Sequence, residues 1–159
     1  NWYAIAAGIA AIFLLSTWLL SQGDANDNLF ATYATMEPGM PVPMSATNQY
    51  DFFDAMVDYK SADYALAIEK WQGMLDETPN NDTLHYFIGS AQFNAAEYET
   101  ALGSFEKTEQ NQTSVFRDKA QWYSVLAYLK LDNIAAIKRI TPHEDSNYAE
   151  QILAIQKVL

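Results

Sequence analysis

AMVDYKSADYALAIEKW, from Ala55 to Trp71, and GSAQFNAAEYETALGSF, from Gly89 to Phe105, are two versions of one pattern. Ala55 aligns with Gly89, Asp63 with Glu97, Tyr64 with Tyr98, Ala67 with Ala101 and Trp71 with Phe105, every pair 34 residues apart. A constant offset in this range marks a repeat architecture. Each unit reads as two antiparallel helices. Small residues, Ala55 or Gly89 on the first helix and Ala67 or Ala101 on the second, stand where the helices approach closely. Ala62-Asp63 and Ala96-Glu97 form the turn, Tyr64 and Tyr98 begin the second helix, and Trp71 and Phe105 plug the gap to the next hairpin. Thr78-Pro79-Asn80-Asn81 ends the first unit, because proline cannot continue a helix. Gln110-Asn111-Gln112-Thr113 takes its place after the second and predicts a longer loop.

Weaker markers continue the series. A helix is expected from Asp118 through Leu131, and its Asp132-Asn133 turn lies 36 residues beyond Ala96-Glu97, a two-residue insertion. A short second helix from Ile134 to Ile140 stops at Thr141-Pro142. Asp145 or Ser146 can cap a last helix through NYAEQILAIQKVL, with Tyr148, Ile152, Ile155 and Leu159 on one side. A helix of this kind closes the exposed end of a solenoid. The fold class is therefore all-α.

Ahead of the repeats the chain changes character twice. Trp2 to Leu20 (WYAIAAGIAAIFLLSTWLL) is 19 residues without a charge. As a helix it would reach about 28 Å, close to a bilayer's hydrocarbon core. Trp2, Tyr3 and Trp18 stand near its ends, where amphipathic rings prefer the membrane interface. Residues 1–20 are thus expected to form a single transmembrane anchor. Ala4, Ala7, Gly8 and Ala11 share one face that can seat a second membrane helix. No Lys or Arg occurs in the 39 residues after Leu20, which places the soluble part outside the cytoplasm.

Residues 21–47 form a connector, in which Pro38, Pro41 and Pro43 exclude regular structure. Leu29, Phe30, Tyr33, Met36, Met40, Val42 and Met44 make it too apolar for an ordinary flexible linker. The expectation is a short helix near Leu29–Tyr33, then an extended strap lying on the repeat domain or on a partner.

A 34-residue helix-turn-helix with small, small, aromatic and proline markers resembles the tetratricopeptide repeat, and Pro79-Asn80-Asn81 looks like its inter-repeat turn. The order of span, LFATY strap and repeats is similar to that of bacterial membrane-anchored tetratricopeptide-repeat proteins. The resemblance implies a helical-repeat solenoid over 48–159, of about three units plus the closing helix. It also implies a concave groove lined by the first helix of every unit. Mapped onto this chain, that face is Phe52, Met56, Tyr59 and Lys60, then Tyr86, Ser90, Phe93 and Asn94, then Trp122, Leu126 and Lys130. Aromatics beside a few amide and ammonium donors suit a peptide segment or a partner helix. The alternative is that the connector fills the groove from within.

Half of the 159 residues are apolar, enough for a core, and the net charge of −11 argues against a nucleic-acid partner. Without cysteine there is neither a disulfide framework nor a thiolate metal site. His85 and His143 are far apart in sequence and read as packing or surface residues, and Glu106 and Glu109 as solvated helix edges. Phosphate loop, nucleophile elbow and clustered metal ligands are absent from the sequence. No cofactor, metal, small-molecule substrate or enzymatic activity is expected. The leading function is a scaffold binding a protein partner at the periplasmic face of the inner membrane. The alternatives are a transmembrane, anti-sigma-like regulator with a periplasmic sensing domain, and an accessory subunit of a translocon or other large membrane complex.

Overall fold

The computed structural model describes residues 25–42 and 49–159, and among these are eight α-helices and no strand. The helices are α1 (Ala25–Tyr33), α2 (Tyr50–Lys60), α3 (Tyr64–Glu77), α4 (Asp82–Asn94), α5 (Tyr98–Gln110), α6 (Arg117–Lys130), α7 (Ile134–Arg139) and α8 (Ala149–Val158). The expected transmembrane helix over 1–20 and its contact face lie outside the described residues. Among those described, no helix is long and apolar enough to cross a membrane.

Helices α2 and α3, α4 and α5, and α6 and α7 form three successive hairpins with one turn geometry. Ala62, Ala96 and Asp132 all adopt a left-handed backbone, with φ of 62°, 62° and 52°. At each, its own amide bonds three residues back and the next amide five residues back. Ala62 N donates to Tyr59 O and Asp63 N to Asp58 O; Ala96 N to Phe93 O and Glu97 N to Gln92 O; Asp132 N to Leu129 O and Asn133 N to Tyr128 O. This is the Schellman ending, which satisfies carbonyls that the terminating helix leaves unpaired. Glycine usually takes the left-handed position, and this chain uses alanine twice. The following helices are capped by Asp63 onto Leu66 N and Asn133 onto Ala136 N, and α4 by Asn81 onto Leu84 N.

Packing between hairpins follows from their aromatic plugs. Trp71 on α3 is fully buried against Phe52, Tyr59 and Phe87, the last from the second hairpin. Phe105 holds the corresponding place one hairpin on, fully buried between Tyr86 and Tyr123. Ala55, Ala67 and Ala101 are also fully buried, so no bulk separates the paired helices. At Gly89 the approach is closer still. A Cβ there would stand 2.8 Å from ring atoms of Phe105 and 3.1 Å from Ser104 Cβ.

The chain's end closes on the third hairpin. Ile152 and Ile155 are fully buried. Gln156 Nε2 donates to Ile137 O at 2.7 Å and Ile140 O at 2.8 Å, satisfying carbonyls at the end of the short α7. Helix α8 begins later than its sequence suggests. Ser146 Oγ accepts from Tyr148 N and shapes a turn, Asp145 makes no cap, and the helix starts at Ala149 without a side-chain cap. Conversely, α1 is already helical at Ala25, four residues ahead of Leu29, and it lies along α6.

Gly89→Ala should lower stability by about 1–3 kcal/mol through overpacking against Phe105. Ala96→Gly should raise it by about 0.5–1 kcal/mol, because an exposed left-handed position favours glycine. Urea-denaturation midpoints of the two variants, shifting in opposite directions, check both.

Candidate functional site

The first helices of the three hairpins, α2, α4 and α6, share a face, and the chain's own segment 25–42 lies across it. Helix α1 runs antiparallel to α6. Asn26 Nδ2 donates to Asp132 Oδ1 at 2.5 Å, and Lys130 Nζ bonds Asp27 Oδ1 at 2.7 Å and sits 5.1 Å over the Phe30 ring. Phe30 packs against Phe93 and Tyr98, and Tyr33 meets Trp122 edge to face at 6.0 Å. The strap, residues 34–42, then carries no regular structure and crosses from α6 over α4 to α2.

Two tyrosine hydroxyls hold the strap by its backbone. Tyr123 Oη donates to Thr35 O at 2.9 Å, and Tyr59 Oη donates to Glu37 O at 2.5 Å. Asn94 Nδ2 donates to the Tyr59 hydroxyl at 2.9 Å and orients it. The Glu37 side chain is only 6 % exposed. Its Oε2 accepts from Tyr86 Oη at 2.6 Å and from Lys119 Nζ at 3.0 Å. A buried carboxylate is tolerated only when its charge is matched and hydrogen-bonded, and both conditions are met here. Two residues on, Gly39 has φ +74°, and a Cβ there would fall 2.7 Å from Met56 Sδ and 3.2 Å from the Tyr59 ring. Only glycine fits.

Burial beside the Glu37 carboxylate pushes the Tyr59, Tyr86 and Tyr123 hydroxyls well above the ordinary tyrosine value of 10.0, with loss of solvent the larger cause and the neighbouring charge the second. All three therefore remain protonated donors across the physiological range.

Of the residues expected to line the groove, Met56, Tyr59, Tyr86, Phe93, Trp122 and Lys130 face segment 25–42, and Asn94 faces it through Tyr59. Four do something else. Phe52 packs with Trp71 and Phe87 inside the first hairpin interface. Ser90 is buried and returns its hydroxyl to Tyr86 O, Leu126 is fully buried, and Lys60 is exposed. The expected list lacks Lys119 and Tyr123, which meet the strap from α6 beside the expected Trp122. It also lacks Glu37 and Gly39, for which the one available signal is Glu-Pro-Gly inside an apolar connector. Met36, read as part of the strap's apolar face, is 61 % exposed, and Met44 lies outside the described residues.

Other chemistry-bearing groups have structural partners. His143 Nδ1 lies 2.8 Å from Asp118 Oδ1, and Gln121 bonds both His143 N and Thr141 O, fastening the 140–143 loop to α6. His85 Nε2 donates to Pro79 O at 2.8 Å across the inter-hairpin turn. Glu109 is not the solvated edge its sequence suggests. Ser124 Oγ donates to it at 3.2 Å, and burial raises its carboxyl above the usual range. Among the described residues no group of three or more His, Cys, Asp or Glu could hold a metal ion.

Compared with protein-family models, curated proteins and solved structures, the chain matches none.

Unfolded tyrosines ionise near pH 10, whereas the groove tyrosines keep their protons. Above pH 10 the unfolded state therefore binds fewer protons than the folded one, and stability falls as pH rises. Each retained proton contributes up to ~1.4 kcal/mol per pH unit to that slope. Tyr86→Phe should remove one such contribution. Urea unfolding between pH 8 and 11 should give a shallower alkaline decline for the variant than for the parent.

Proposed function

We propose that this chain is a non-catalytic interaction protein of the tetratricopeptide-repeat type. In this reading residues 1–20 anchor it in the inner membrane, and its helical domain binds a protein partner on the periplasmic side. The 34-residue hairpin period and the charge-free N-terminal stretch support the type and the anchor. One observation carries the binding role: the concave face is equipped to hold an extended polypeptide. Tyr59 and Tyr123 take main-chain carbonyls, Phe93 and Trp122 take aromatic side chains, and Tyr86 with Lys119 takes a carboxylate. Main-chain bonds give affinity and side-chain pockets give selectivity, as in other peptide-recognition modes.

The second reading, a transmembrane regulator, is favoured by continuity. The polypeptide in the groove is the segment that follows the expected span, so whatever changes its seating in the groove also bears on the tether. A device coupled in this way needs a differential between seated and unseated states, not a resident partner.

Purification of the full chain in mild detergent, followed by lysine crosslinking and mass spectrometry, separates the two. The adaptor reading expects one stoichiometric protein crosslinked at Lys60, Lys119 or Lys130. Recovery of the chain alone, with crosslinks confined to its own segments, would overturn the adaptor and leave the regulator.

A further inference from the structure

The strap shows which positions of a bound segment the groove inspects. The bonds from Tyr123 to Thr35 O and from Tyr59 to Glu37 O involve main chain only and carry no sequence preference. Between positions 33 and 39, side-chain identity is tested at three places. Position 37 must place a carboxylate between Tyr86 and Lys119, in a site that leaves it 6 % exposed. Position 39 must lack a side chain, since a Cβ would collide with Met56 Sδ at 2.7 Å on a backbone of φ +74°. Position 33 must offer an aromatic edge to Trp122. Between these, Met36 and Pro38 are exposed and are not inspected.

From this geometry we infer that the groove selects an extended protein segment with an aromatic residue, a glutamate four positions later and a glycine two beyond that, and that such a segment competes with the strap for one site. The inference rests on the proposed role of the groove in binding a protein partner, and names that partner's chemistry. Charge complementarity supports an acidic segment: Lys119 pairs with nothing but Glu37 among the described residues, so a neutral replacement would forfeit this charge-assisted bond. The net charge of −11 does not forbid the approach, since charges beyond about 8 Å are largely screened at physiological salt. Competition also has a foothold. Asn94 Oδ1 is buried beside Tyr59 without a hydrogen-bond partner among the described residues, an acceptor that the strap leaves unused. Against this, the strap acts intramolecularly, with an effective concentration on the order of millimolar, so a free segment enters readily only when the strap is weakened or withdrawn.

The probe is a fluorescein-labelled synthetic peptide of residues 28–42, titrated onto the full chain in mild detergent and followed by anisotropy. It should bind the Glu37→Ala chain at least tenfold more tightly than the parent chain. On the Glu37→Ala chain, peptides carrying Glu37→Gln or Gly39→Ala should bind at least tenfold more weakly than the unchanged peptide, while Met36→Ala should bind equally. Lys119→Ala in the chain should erase the difference between the unchanged peptide and the one carrying Glu37→Gln. Equal binding of the glutamate and glutamine peptides to the Glu37→Ala chain would overturn the inference, as would absence of saturable binding to that chain in its folded form. Should that variant fail to fold, hydrogen exchange of the parent chain decides: excess peptide must deprotect residues 25–42, and the glutamine peptide must not. A doubled mass in light scattering, with the strap of one copy crosslinked into the groove of another, would replace the separate partner by a second copy of the chain. A copurifying partner without selective peptide binding refutes this inference alone. Selective peptide binding without any copurifying partner refutes the adaptor reading alone.

Discussion

A two-helix hairpin of this size cannot bury its own apolar face, and that constraint organises the molecule. Trp71 and Phe105 project from the second helix of one hairpin into the aromatic cluster of the next, where each is fully buried. Removing a buried aromatic of this kind typically costs about 3–5 kcal/mol, a large share of the stability of a small domain. The small residues Ala55, Ala67, Gly89 and Ala101 serve the same end, since bulk at those sites would push apart the helices whose plugs must reach their neighbours. The repeat is thus a consequence of stacking: each unit completes the core of the one before it.

Stacking solves the problem on one side and creates it on another. The face shared by α2, α4 and α6 collects Tyr59, Tyr86, Phe93, Trp122 and Tyr123, a surface too aromatic to be left in water without consequence. Segment 25–42 covers it. The cover is not a purely greasy one, because tyrosine hydroxyls buried under an apolar strap would lose their hydrogen bonds. Thr35 O, Glu37 O and the Glu37 carboxylate supply acceptors to Tyr123, Tyr59 and Tyr86 in turn. The strap therefore ties together residues from all three hairpins, and a polar network inside an aromatic face fixes its position more sharply than packing alone would.

The same arrangement links the fold to the proposed roles. Adaptor and regulator differ in what occupies the groove and when, and both depend on the strap being replaceable at a modest free-energy cost. For segment 25–42, main-chain hydrogen bonds, a few ring contacts and two ion pairs make a contact of that kind. Lys119 is 40 % exposed, so its pairing with Glu37 is weaker than a fully buried one would be. A surface that must release its occupant is better built from contacts of this strength than from another hydrophobic plug.

The hairpins are legible in the sequence because their cause is local and periodic. Small residues at a 34-residue spacing, a turn between them, and an aromatic after each can be read without knowing what any side chain touches. The apolar character of the connector is legible too, and it marks the segment as something other than a tether. Which of the two expected surfaces it covers, the repeat domain or a partner, is not. Lys119 meets Glu37 across 82 positions and Asn26 meets Asp132 across 106, and no period relates such pairs. On α6 the expected Trp122 and Lys130 meet the segment, and Lys119 and Tyr123 join them for the same reason. Lys119 and Tyr123 meet the strap while Leu126 is fully buried. The units and their order follow from a pattern written within each 34-residue stretch. That the chain's own glutamate fills the groove follows from how the units bring Tyr86 and Lys119 together beside a distant segment, a relation that exists only once they are stacked.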